Sequence, residues 1–142
     1  MLKRTIMLGL FAAVASTSYA KDEPHHFNFN QAVQNATDAG AIDGSVKFYL
    51  ADTRSGGKLI RANVITNRKT NGFAKSAETS CDWAIRAALI QLQQSAKAQG
   101  ANAVTNIVSY FRKNEYRSRT DYECYKGTAV SAVTLKGDFV KF

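Results

Sequence analysis

The chain has 142 residues, of which 45% are hydrophobic, and its 19 Lys and Arg outweigh 11 Asp and Glu to give a net charge of +8. That length builds one domain around a single modest core and leaves no room for an ATPase domain. With two histidines and two cysteines, neither a multi-ligand metal centre nor a Cys-x-x-Cys redox pair is written into the chain.

At the N-terminus, Lys3 and Arg4 precede an apolar stretch from Ile6 to Ala15, and Ser18-Tyr19-Ala20 puts small residues where signal peptidase reads. The pattern predicts a secretory signal over residues 1–20, cleaved after Ala20, and a periplasmic destination. The apolar run is shorter than the roughly 20 residues a spanning helix needs, and no second run is long enough, so no transmembrane segment is expected. Lys21 follows the predicted cleavage site with no cysteine nearby to take a lipid anchor. Without Lys3 and Arg4 the mature chain still carries +6.

Residues 21–29 hold the only proline, Pro24, mix charges and lack periodicity, and read as a flexible arm. The domain proper is expected over 30–142. A short helix fits Asn30 to Ala39, with Asn28 or Asn30 as cap and Gly40 at its end. Ser45 to Ala51 alternates Val46, Phe48 and Leu50 against Lys47 and Tyr49, as a half-buried strand does. A turn at Asp52 to Gly57 and renewed β character from Leu59 to Thr66 predict a hairpin. Asn67 to Lys75 reads as a polar, basic loop.

Ser76 to Gln99 carries the strongest helical pattern. Ser76 or Thr79 caps it, Glu78 suits its positive end, and Gly100 stops it. Cys81, Ala84, Ile85, Ala88, Leu89, Leu92 and Ala96 form one apolar stripe. Trp83 lies off that stripe and is expected at the flank of the core, with a second contact surface as the other reading. Strands are expected at Ala103 to Phe111, Arg119 to Tyr125 and Thr128 to Leu135. A charged loop, Arg112 to Ser118, follows the first of these. Lys136-Gly137-Asp138 is expected to break the last strand from a short tail.

The order β-β-α-β-β-β implies an α+β fold, with a mostly antiparallel sheet of about five strands packed on one long helix. An even cysteine count in a small exported chain favours a bridge between Cys81 and Cys124, closing a loop worth about 4 kcal/mol.

Catalytic signals are sparse. His25 and His26 lie in the expected arm, so no metal or other cofactor is expected, and a serine or cysteine nucleophile elsewhere lacks its usual base. Asp121 and Glu123 read as solvent-facing positions of one strand. Gly56-Gly57-Lys58 lacks the remaining elements of a phosphate loop. Arg68, Lys69, Lys75, Arg112, Lys113, Arg117 and Arg119 are the candidate binding surface, a positive patch expected along one edge of the sheet. Export lowers the expectation of nucleic acid as partner.

The helix-to-strand joint Gly100-Ala101-Asn102-Ala103-Val104 carries a resemblance, together with Gly44-Ser45-Val46-Lys47-Phe48-Tyr49, the helix-borne Cys81, Tyr122-Glu123-Cys124 and Leu135-Lys136-Gly137-Asp138. These segments resemble small exported bacterial proteins often labelled "excinuclease ATPase subunit". The resemblance implies the α+β fold and the disulfide, while the label's activity has no phosphate loop or zinc-finger cysteines here to support it. The joint is also similar to that of the outer-membrane stress-sensor lipoprotein of the Rcs pathway and of small domains described as heavy-metal-binding. The reading that results is a non-enzymatic periplasmic domain that binds or senses an envelope component, either a protein or an anionic polymer. The alternatives are a carboxylate-based cell-wall enzyme and a protein like the lysozyme inhibitors.

Overall fold

A computed structural model describes residues 22–142, so the secretory signal and its cleavage site lie outside the described residues. The elements run β1 (Glu23–Asn28), α1 (Phe29–Asp38), β2 (Lys47–Leu50), β3 (Lys58–Asn71), α2 (Ala77–Ala98), β4 (Ala103–Ser109), a 3-10 turn (Phe111–Lys113), β5 (Asp121–Lys126) and β6 (Val130–Lys141). The architecture is α+β, with α2 laid across one face of a six-stranded sheet.

Helix α2 forms where the periodicity puts it. The Ser76 hydroxyl accepts the Thr79 amide at 3.2 Å and relieves one of the unbonded N–H groups of the first turn. At the other end Gly100 takes φ +79°, and the Ala101 amide reaches back to the Ala96 carbonyl at 2.9 Å. A residue with a Cβ resists that left-handed exit. The predicted stripe is the buried one, with Cys81, Ala84, Ile85, Ala88, Leu89 and Ala96 wholly inaccessible. It meets Val104, Ile107, Val133, Leu135 and Phe139 from the sheet. Each fully buried Leu, Ile or Phe there contributes about 1.5–3 kcal/mol. Cys81 and Cys124 are both inaccessible and joined by the expected disulfide, with Cα atoms 6.0 Å apart.

Strand β6 is the hub of the sheet. β3 pairs antiparallel with its whole length, from Lys58↔Lys141 to Asn71↔Val130. With that side taken, β5 (Tyr125↔Ala132) and β4 (Ala103↔Val140 to Ser109↔Leu135) share the other side. β1 adds antiparallel to β5, and β2 adds parallel to β4.

Four expectations are corrected. Within the stretch expected as a flexible arm, Glu23–Asn28 is strand β1, and its Phe27 lies opposite Tyr122. Pro24 is tolerated because β1 is an edge strand, where a missing N–H need not break a ladder. The hairpin at Asp52 to Gly57 is absent, because β2 and β3 take different partners. Left-handed Asp52, Gly56 and Gly57 carry the chain from one side of the sheet to the other. Of the basic loop expected over Asn67 to Lys75, the first part to Asn71 is instead the end of β3, where the β-branched Thr66 and Thr70 suit a strand, and the rest is a loop. The Thr70 hydroxyl also donates to the Ser80 carbonyl of α2 at 3.0 Å. Finally, Lys136-Gly137-Asp138 is not a turn but the middle of β6. A Cβ on Gly137 would sit 2.8 Å from Val104 Cγ1 and 3.2 Å from the Thr105 carbonyl, so this glycine permits close approach of β4.

Candidate functional site

A cleft of about 460 Å³ opens where β1 turns into α1 beside the first turns of α2. Its wall is built by Phe27 and Asn28 from β1, Gln31, Ala32 and Asn35 from α1, Glu78, Thr79, Asp82 and Trp83 from α2, and Tyr122 from β5. The sequence fixes each component locally. Asn28 caps α1 by accepting the Gln31 amide at 2.8 Å, and the Gln31 side chain donates to Asn35 Oδ1 at 2.9 Å, which lines the amides along one helix face. On α2, residues 78, 79, 82 and 83 share a face by the three-and-four spacing of a helix. Phe27 and Tyr122 face each other across the β1–β5 pair with ring centroids 5.9 Å apart.

Trp83 stands at the rim, 54% exposed. It is not a core flank, as the sequence suggested, because α1 and β1 stop short of covering it. The Arg86 guanidinium sits 5.0 Å from the Trp83 ring and pairs with Asp82 at 3.0 Å. The Asp82 charge has a second effect. Burial, and then that carboxylate, raises the Tyr122 phenol well above the ordinary tyrosine range. The cleft therefore presents an indole, two further rings, three side-chain amides and two carboxylates in an open, solvent-connected setting.

A second cluster lies on the sheet face away from α2. His26 Nε2 and Glu123 Oε2 are 2.9 Å apart, and the Tyr116 ring lies 4.3 Å from the His26 ring. The Glu123 amide donates to the Ser109 hydroxyl at 2.8 Å. Glu123 is only 8% exposed, which corrects its reading as a solvent-facing position. Burial, followed by the Glu123 charge, also raises the Tyr125 phenol. Tyr125 stacks on Phe111 at 4.0 Å. Among the described residues no serine, threonine or cysteine hydrogen-bonds the His26 ring, so no nucleophile–base–acid relay is assembled. Nor, among them, do three or more His, Cys, Asp or Glu side chains converge as metal ligands.

The structure divides the basic residues that the sequence grouped as one patch. Arg68, opposite Val133, points to the helix side of the sheet and bonds the Gln91 side chain of α2. Lys69, opposite Ala132, points to the other face, where it lines a cleft of about 290 Å³ with Arg112. Arg112 also pairs with Asp22 at 3.0 Å, and Lys113 follows it in a left-handed conformation. Arg117 is engaged with Asp52 through two bonds of 3.0 and 3.1 Å. Lys75 and Arg119 are exposed in separate loops. Of the seven, only Lys69 and Arg112 are brought to one cavity.

Sequence reasoning missed Phe27, Asn28, Gln31 and Asn35 as cleft residues, because the arm reading removed β1 from the fold. The alternation of His25 and Phe27 with Pro24, His26 and Asn28 was the available signal of an extended, half-buried segment. Compared with models of protein families, with curated proteins and with solved structures, the chain matches none.

Proposed function

We propose that this chain is a non-enzymatic binding domain, exported and cleaved after Ala20, that holds a protein component of the bacterial envelope in the cleft beside Trp83. The observation that carries the reading is the half-exposed indole at the rim of a concave site floored by Phe27 and Tyr122. A large aromatic left exposed beside a pocket, with a few polar groups around it, is the usual composition of an anchor site. Glu78 and Asp82 on the same wall disfavour an anionic polymer there and favour a segment presenting apolar or basic side chains. The disulfide fits an oxidising compartment, and among the described residues no helix is long and apolar enough to cross a membrane. The resemblance to small exported bacterial proteins points the same way.

A carboxylate-based cell-wall enzyme is the second reading, since two carboxylates line one cleft. Glu78 is exposed and Asp82 is paired with Arg86, so neither has the apolar surroundings that keep a general acid protonated.

Trp83 is the only tryptophan, so it reports on its own site. Titrating purified protein with fractionated envelope proteins is expected to give a saturable fluorescence shift that Thr79→Arg, on the cleft wall, abolishes. A shift that survives Thr79→Arg, or none with any fraction, would overturn the cleft as the binding site. Release of soluble fragments from cell-wall sacculi, lost in Glu78→Gln, would instead establish the enzyme.

A further inference from the structure

Strand β3 has a partner on one side only. β6 covers its full length, and among the described residues nothing pairs with its other side. The backbone groups that face this open side follow from the ladder. The Thr134 carbonyl is spent on the Tyr110 amide at 2.9 Å and the Val130 carbonyl on the Gly127 amide at 2.8 Å, both on the β4–β5 side of β6. In an antiparallel pair the N–H and C=O of one residue point the same way, and opposed residues alternate between facing and turning from each other. Thr134 and Val130 therefore turn from β3, and so do their opposites, Asn67 and Asn71. By the same alternation Ile65, Asn67, Lys69 and Asn71 direct their N–H and C=O groups to the open edge, while Thr66, Arg68 and Thr70 bond to β6.

Charge selects the occupant. From Lys58 to Asn71 the strand carries Lys58, Arg61, Arg68 and Lys69 and no acidic residue. A second copy added edge to edge would oppose like charges across the new ladder, which is destabilising and is a common protection against self-association. An acidic segment meets the opposite situation. Ile65, on the same face as Lys69 and 54% exposed, offers an apolar contact beside the charge; across the cleft Arg112 is already paired with Asp22, which leaves Lys69 as the cation for an incoming carboxylate.

From this geometry we infer that the open edge of β3 accepts an extended acidic polypeptide segment by strand addition, with a carboxylate set against Lys69 and an apolar side chain against Ile65. No residue of β3 lines the Trp83 cleft, so this surface goes beyond the function proposed above and stands or falls separately from it.

The probe is a capped synthetic peptide of alternating valine and threonine, with glutamates placed to meet Lys69, titrated into the purified protein. Hydrogen exchange read residue by residue is expected to slow at Ile65, Asn67, Lys69 and Asn71. It should stay unchanged at Thr66, Arg68 and Thr70, already bonded to β6. Replacing the peptide glutamates by lysine is expected to weaken binding about tenfold or more at low salt. Asn67→Pro removes an edge donor without touching the β6 ladder and is expected to fold yet lose the peptide. Lys69→Glu should reverse the preference between the two peptides. Protection spread evenly over both sets of amides, or binding that survives Asn67→Pro, would overturn strand addition. So would binding of an anionic polysaccharide with no edge protection, which would leave the strand's charge as a general electrostatic surface.

Discussion

Replacing both Cys81 and Cys124 by alanine has a consequence whose size follows from the chain itself. The bridge spans a sequence separation of 43 residues. For a loop of that length the chain-entropy relation gives about 13 cal/mol/K, or about 4 kcal/mol at room temperature. Both sulfurs are wholly buried between α2 and β5, so the two truncations add a packing loss to the entropic one. An unfolding entropy of about 2.1 cal/mol/K per residue over roughly 120 residues converts 4 kcal/mol into a melting-temperature drop of about 15 °C. Urea unfolding of oxidised wild type and of the double variant measures the difference directly. Because the bridge acts mainly on the unfolded chain, the variant should show a steeper denaturant dependence as its unfolded state expands. A loss below about 1 kcal/mol with an unchanged slope would refute the argument.

Gly137 and Gly100 make a paired test. Gly137→Ala puts a methyl against Val104 and the Thr105 backbone and should cost about 1–3 kcal/mol by overpacking; Gly100→Ala meets no atom within 4 Å and should cost about 1–2 kcal/mol, from its left-handed backbone alone. Both are read by urea unfolding, and a crystal structure of Gly137→Ala should show β4 displaced. Because the folded Tyr122 phenol is raised by burial and by Asp82, the unfolded chain gives up that proton first, near pH 10. Its contribution to stability is complete below that pH and declines as pH rises past it, and Tyr122→Phe should remove that part of the alkaline decline. Glu123→Ala, which strips His26 of its 2.9 Å partner, should lower stability by about 1 kcal/mol, and Glu123→Gln, which keeps a side-chain oxygen in place, should lose less.

What could be read from the sequence was what repeats at short range. The α2 stripe, its Ser76 cap and Gly100 stop, and the pairing of Cys81 with an inward Cys124 all rest on helical or two-residue periodicity. What could not be read was partner choice between strands. β2 and β3 look like a hairpin, yet β2 pairs parallel with β4 across the α2 crossover and β3 runs the length of β6. Strand pairing depends on contacts far apart in the chain, and local turn signals at Gly56 and Gly57 do not specify it. Gly137 was misread for a related reason. A glycine needed for close approach looks in sequence like a glycine needed for a turn. The cleft shared this blindness, since it is built from β1, α1, α2 and β5 at once. Its α2 half was visible as Trp83 off the stripe, and its β1 half was hidden by the short, charged run around Pro24. The basic patch failed because alternation along β3 sends Arg68 and Lys69 to opposite faces.

The claim at the centre of this account, that the cleft beside Trp83 holds an envelope protein, is tested most directly by photo-crosslinking in living cells. A photoreactive residue at Asn35 lies in the cleft wall, and one at exposed Thr128 lies outside it. The account predicts a discrete covalent adduct from Asn35, none of that mass from Thr128, and its disappearance with Trp83→Ala. The same adducts from both positions, or none from Asn35, would contradict it.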